Sequence, residues 1–185
     1  MSNPESIAVF FDIQNLYHSS KIYGGSKISY KDLIAEIGKG REVKRATAYA
    51  AHRSEKDVHS FHKALKASNI DVVSKRVSFR KDDQNEKGKL TPAHFDVEIA
   101  TDSLMSKIEI SDLDTIVLCT GNGAFDYLVE ALVEVGLKVE IWSFEGSTSK
   151  NLINACTKFQ EIPKSCLLSA HQTDNPKEVT SATRE

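Results

Sequence analysis

Short apolar runs alternate along this chain with segments whose apolar residues recur every three or four positions. The run at residues 7–11 (Ile-Ala-Val-Phe-Phe) reads as a buried strand that stops at Asp12. Residues 43–51 read as a second strand and residues 70–79, with Val72, Val73 and Val77, as a third. Residues 114–119 read as a fourth, whose Ile-Val-Leu-Cys is apolar on both faces, as a central parallel strand must be. Leu137, Val139 and Ile141 alternate as a fifth strand, and residues 159–162 read as a short sixth or a docked extension.

Between these lie helical patterns with start and stop signals. Ser29 can cap a helix carrying Leu33, Ile34 and Ile37, stopped by Gly38 and Gly40. Ser54 to Asp57 resembles a capping box ahead of Val58, Phe61 and Leu65. Residues 80–90 read as a polar loop. Thr91-Pro92 reads as a helix start, with proline where its missing N–H costs nothing, ahead of Phe95, Ile99 and Leu104. Gly121-Asn-Gly123 turns the chain into a helix bearing Phe125, Leu128, Val129, Leu132 and Val133, ended by Gly136. Thr148 or Ser149 caps a last helix with Leu152, Ile153 and Cys156.

Strand–helix alternation of this kind predicts an α/β fold: a three-layer, Rossmann-like arrangement of about five mostly parallel strands with helices on both faces. The predicted strand order is 3-2-1-4-5, and ligands of such sheets bind beyond the carboxyl ends of the strands. After Pro163 there are no aromatic residues and few apolar ones. The expected division is a domain over residues 1–163 and a disordered tail over 164–185.

The length of 185 residues agrees with one domain and its tail. A net charge of −2 excludes a histone-like polycation but not a local basic patch. Cys119, Cys156 and Cys166 form no Cys-x-x-Cys pair, which excludes a zinc ribbon or thioredoxin-type site and argues for a reducing compartment. No apolar run is long enough to span a bilayer, and the amino end lacks the basic region of a signal peptide. The cytoplasm is the expected location.

Three acids fall where the sheet rule points. Asp12 ends the first strand, Asp96 lies in the early turns of a helix, and Asp126 follows the fourth strand. Carboxylates converging from these elements would make a hard oxygen site for Mg²⁺ or Mn²⁺. Taken singly, Asp12 can also cap a turn, and the other two can serve helix dipoles. The stretch from Lys75 to Leu90 carries Lys75, Arg76, Arg80, Lys81, Lys87 and Lys89 against Asp82, Asp83 and Glu86. It leads towards Asp96, so it can hold a phosphate backbone, with His94 and Arg53 as lesser contacts. Exposed rings at Phe79 or Phe95 could stack on an unpaired base. A solvated hairpin-like loop is the plainer account of the same stretch. His59 and His62 lack a third ligand nearby, and Gly121-Asn-Gly123 lacks the third glycine of a dinucleotide fingerprint.

Four motifs, in order, are similar to those of one family. Phe10-Phe-Asp12-Ile-Gln-Asn15-Leu16 resembles the opening of NYN (LabA-like) domains, members of the PIN-like nuclease group. Asp96-Val-Glu-Ile-Ala-Thr-Asp102 resembles the family's Asp-Val-x-Leu-Ala-x-Asp helix. Thr120-Gly-Asn122-Gly-Ala124-Phe125, with Leu128-Val129 and Gly136-x-x-Val139, follows its Ser-Gly-Asp-x-Asp-Phe segment. Ser149-x-x-Leu152-x-x-Ala155 and then Phe159 match its carboxyl helix. The resemblance spans residues 7–162 and implies a PIN-like fold and a metal-dependent ribonuclease. Asp12 and Asp96 would be metal ligands, Asn15 would orient a water, a ligand or the phosphate, and single-stranded RNA would be the partner. Pairing into a homodimer is also implied, since PIN-like domains often pair.

Asp102 matches the pattern too, but it lies about 240° around the helix from Asp96, so the two cannot both point squarely into one site. The family's paired acids after the fourth strand are Asn122 and Ala124 here, its lysine-glycine is Ala93-His94, and a carboxyl-helix acid is Cys156. If Asp126 turns inward, the acid set is Asp12, Asp96 and Asp126, assisted by Asn122. If it faces solvent, two strong ligands remain. Two readings of function follow: a Mg²⁺- or Mn²⁺-dependent ribonuclease with a partly degenerate acidic site, or an inactive RNA-binding or regulatory module. A small-molecule binder at the same crevice is a third.

Overall fold

The structure, a computed structural model, describes residues 3–22, 25, 27–52, 55–82, 85–91 and 93–168. For residues 55–58 and 78–91 it describes the backbone alone. In chain order the elements are β1 (Glu5–Asp12), α1 (Ile13–Ile22), β2 (Lys27–Ile28), α2 (Tyr30–Ile37), β3 (Arg41–His52), α3 (Glu55–Lys66), β4 (Asp71–Arg76), β5 (Ser78–Asp82), β6 (Asn85–Thr91) and α4 (Asp96–Glu109). β7 (Thr115–Cys119), α5 (Asp126–Glu134), β8 (Lys138–Ser143), α6 (Lys150–Ala155), β9 (Lys158–Glu161) and β10 (Leu167–Leu168) follow.

Six strands form one sheet in the order β4-β3-β1-β7-β8-β9, with every pairing parallel. In terms of the strands read from the sequence this is 3-2-1-4-5 with the short sixth strand added at the edge. β1 is central, as its uninterrupted apolar run requires: Phe11 lies opposite Cys119 of β7, and Asp12 opposite Tyr49 of β3. Alternate β1 residues feed two cores. Ile7, Val9 and Phe11 pack with Leu16, Leu33, Ile37 and Leu65 of α1–α3. Ala8 and Phe10 pack with Ile99, Leu128, Val129 and Leu132 of α4 and α5 and with Leu152 of α6.

Local signals act as their chemistry dictates. Ser29 Oγ accepts from the Asp32 N–H at 3.3 Å and caps α2. Gly136, after α5, stands at φ +87°, a conformation costly for any residue with a Cβ. The Ser54 cap lies outside the described residues.

Four expectations need correction. The third strand ends at Arg76, and residues 78–91 are not an irregular loop: β5 and β6 pair antiparallel as a ribbon of their own. A stretch this rich in charge cannot be buried on both faces of the main sheet, whereas a separate two-stranded ribbon pairs its backbone outside that sheet. The fourth helix begins at Asp96, not after Thr91, because Thr91 is held in the ribbon opposite Ser78. α1 has no counterpart in the sequence reading: Ser, His and Tyr blur its apolar stripe. The tail does not begin at 164, since Cys166 is 1% exposed in the first core and β10 pairs antiparallel with β2. The tail from residue 169 on lies outside the described residues.

Candidate functional site

The carboxyl ends of β1 and β7 lie side by side, and the first turn of α4 comes over them from one face. Asp12, the last residue of β1, is 8% exposed. Its Oδ1 accepts from the Asn15 N–H at 3.1 Å, closing the first turn of α1. Its Oδ2 accepts from the Thr120 hydroxyl at 3.1 Å. Burial raises its pKa above the ordinary aspartate value; the nearby Asp96 charge adds to that, while the Asn15, Thr120 and Gln14 hydrogen bonds work against it. Each oxygen keeps lone-pair capacity for a further partner.

Asp96 is the first residue of α4. Its Oδ1 lies 3.4 Å from Asn122 Nδ2. Asn122 Oδ1 in turn accepts from the Ala124 N–H at 3.1 Å, which caps the 3₁₀ turn Gly123–Phe125. Asn15 Oδ1 accepts from the Gly121 N–H at 2.7 Å, and Thr120 Oγ1 accepts from the Asn122 N–H at 3.2 Å. Asp12, Asn15, Thr120, Asn122 and Asp96 are thereby one connected set at the mouth of the sheet. Thr120 was not singled out in the sequence. Its signals were its place just after a buried strand and its hydroxyl at the serine position of the Ser-Gly-Asp-x-Asp-Phe pattern.

Among the described residues, no group of three or more His, Cys, Asp or Glu side chains could hold a metal ion. The four nominated carboxylates therefore do not gather. Asp126 accepts from the Tyr127 N–H at 2.7 Å, at the start of its own helix. Asp102 accepts from the Tyr49 hydroxyl at 2.6 Å, under α4, and so ties that helix to β3. Asp12 and Asp96 are linked through Thr120 and Asn122.

The family model described as the NYN domain matches residues 6–163. The chain belongs to the NYN domain family. It is 22% identical over 161 residues to "Low amplitude and bright protein LabA" of Synechococcus elongatus, covering 86% of this chain and 84% of that one. A crystal structure of a protein of unknown function from Vibrio parahaemolyticus superposes with a TM-score of 0.76 at 27% identity, covering 91% of this chain and 99% of that chain.

The chain has Asp12 at the end of β1, Asn15 bonded to it, Asp96 at the start of α4, an amide at 122 and a methyl at 124. The basic stretch is only partly free. Lys75 Nζ pairs with Glu98 Oε1 at 2.5 Å, donates to the His94 carbonyl at 2.7 Å and sits 4.9 Å from the Phe95 ring centre. Phe95 itself is 3% exposed in the second core, so it is not the stacking ring expected there. Arg76 and His94 are exposed. The side chains of Phe79, Arg80, Lys81, Lys87 and Lys89 lie outside those described, as does Arg53. His62 packs edge-on to His52 at 6.5 Å, and burial and that neighbour lower its pKa. No helix among the described residues is long and apolar enough to cross a membrane.

Gly121 is a requirement of this site. A Cβ there would lie 2.9 Å from the Ser147 carbonyl oxygen, 3.0 Å from Ser143 Oγ and 3.1 Å from Thr148 Cα. Gly121→Ala is expected to cost about 1–3 kcal/mol, as overpacking does. Each kcal/mol lowers Tm by about 2–4 °C in a chain of this size, and calorimetry reads the loss directly.

Proposed function

We propose that this NYN domain hydrolyses phosphodiester bonds of single-stranded RNA with one weakly held Mg²⁺ or Mn²⁺ ion at Asp12 and Asp96. The observation that carries the proposal is the hydrogen-bonded chain that runs from Asp12 through Thr120 and Asn122 to Asp96 at the carboxyl edge of the sheet. Two carboxylates do not make an all-protein cage. They do fit the usual mode for Mg²⁺, which is bound by one or two carboxylates together with waters and substrate phosphates. Such an ion lowers the pKa of water and stabilises charge on phosphate oxygens.

The protein's own contributions are separable. Thr120 and the Asn15 amide hold the Asp12 carboxylate in one rotamer, so little is left to order when the substrate arrives. Asn15 holds the Gly121 turn against β1, which keeps Asn122 beside Asp96. Arg76 and His94, exposed near the start of α4, are available to the RNA backbone.

A second reading, an inactive RNA-binding module, draws on two features: Asp126 serves its own helix, and Ala124 offers no oxygen. One assay separates them. Labelled single-stranded RNA is incubated with the protein in Mg²⁺, in Mn²⁺ and in EDTA. Cleavage that needs metal is expected. Salt-sensitive RNA binding without cleavage at any metal concentration would replace the nuclease reading with the binding one.

A further inference from the structure

A cavity of about 510 Å³ opens on the opposite face of β1 from the Asp12–Asp96 pair. Among its walls are Ile13, Tyr17, Lys21, Lys27, Tyr30 and Phe61. Ile13 is the residue next to Asp12, so cavity and acid pair flank the same strand end. The interior is apolar and aromatic. Tyr30 packs edge-on to both Phe11 and Phe61, each at 5.9 Å, which fixes its ring as a rigid wall. Tyr17 is 50% exposed, and Lys21 Nζ sits 4.3 Å from its ring centre.

Between Asp12 and Asp32 the charge is one-sided. The sequence has no Asp or Glu from Ile13 to Lys31, while Lys21, Lys27 and Lys31 fall within it. An apolar slot with aromatic walls and two lysines at its lining, beside a run free of carboxylates, suits a flat aromatic group that carries negative charge on both sides. An unpaired base in a nucleic acid strand is such a group, and base–aromatic stacking with a cationic backbone groove is how single strands are held.

We propose that this cavity takes one unpaired base of the RNA strand, stacked at Tyr17, with Lys21 and Lys27 on the phosphates flanking it. The assignment rests on the proposed action on RNA and names where the strand is gripped beside the acid pair.

The test uses the full chain in EDTA, where no metal-dependent cleavage occurs, and a short single-stranded RNA carrying one 2-aminopurine. Stacking quenches the probe. Wild type is expected to quench it, and Tyr17→Ala to lose the quench and weaken binding about fivefold or more. Tyr17→Phe should keep both, and Ile108→Ala, at the far end of α4, should change neither. Lys21→Ala and Lys27→Ala should each reduce the slope of log affinity against log salt by about one. Quenching that is equal in wild type and Tyr17→Ala overturns the assignment. Displacement of the strand by adenosine monophosphate at equal affinity overturns it too, since that marks a site for the free nucleotide. The metal-dependent cleavage assay is read separately. Cleavage without a Tyr17-dependent quench removes the cavity assignment alone, and a Tyr17-dependent quench without cleavage removes the nuclease reading alone.

Discussion

Asp12→Asn is expected to abolish metal-dependent RNA cleavage while leaving Tm at neutral pH equal to or above that of wild type. Loss of a supporting residue at a metal site costs about 10–100-fold, so loss of a proposed ligand should cost about 100-fold or more. The stability half of the result follows from charge. Burial, reinforced by Asp96, lifts the Asp12 pKa in the folded state above its unfolded value. A group so shifted contributes stability below its unfolded pKa, and that contribution is lost as pH rises through the folded pKa. At neutral pH the ionised carboxylate is therefore a net cost, which asparagine removes while its oxygen still accepts one of the two hydrogen bonds. The Tm difference should shrink as pH falls from the raised folded-state pKa towards the ordinary aspartate value and stay flat below it, and melting curves across pH check it. The same raised pKa predicts that cleavage fades with acid sooner than at a site built on an unperturbed aspartate. Undiminished cleavage by Asp12→Asn would discard the proposed centre.

Asn122→Asp should convert a weak metal site into a strong one at the expense of the metal-free fold. The new carboxylate could still accept from the Ala124 N–H, but the amide now 3.4 Å from Asp96 Oδ1 would become a like charge. Three carboxylates without a cation repel one another, so Tm in EDTA should fall below wild type. A bound cation relieves that repulsion and stabilises only the folded form, so the gain in Tm on adding Mn²⁺ should exceed that of wild type. Direct titration should show Mn²⁺ affinity higher by about tenfold or more, with faster cleavage. Ala124→Asp tests the same deficit from the other missing acid. If the metal responses of wild type and Asn122→Asp coincide, Asn122 does not face the proposed centre.

The parallel sheet and its strand order were legible because the apolar runs are unambiguous: residues 7–11 and 116–119 have no polar face to offer water, and helical spacing separates them. Asp12, Asp96 and Asp126 were legible as candidates from their positions at a strand end and at helix starts, whereas Asn15 and Asn122 entered only through the resemblance. The ribbon of β5 and β6 was legible only as a hairpin-like alternative to a polar loop, because a charged stretch looks the same in sequence whether its backbone bonds to water or to a neighbouring strand. α1 was hidden because half of its residues are polar and blur its apolar stripe, although the local Asn15 N–H to Asp12 bond that opens it matches the turn-capping role Asp12 offers in the sequence.

The chain by itself placed Asp12 at a strand end and Asp96, Asp102 and Asp126 on helices, since strand and helix patterns are written locally. Only the tertiary structure decided what each carboxylate does there. Asp126 and Asp102 carry the same chemistry as Asp12 and Asp96, yet one accepts from its own helix and the other from Tyr49. The direction in which a side chain leaves its element, and the partner it meets, depend on packing between segments far apart in sequence. The same holds for the cavity at Tyr17, whose walls come from α1, β2, α2, α3 and β10 and exist only once those elements close around β1.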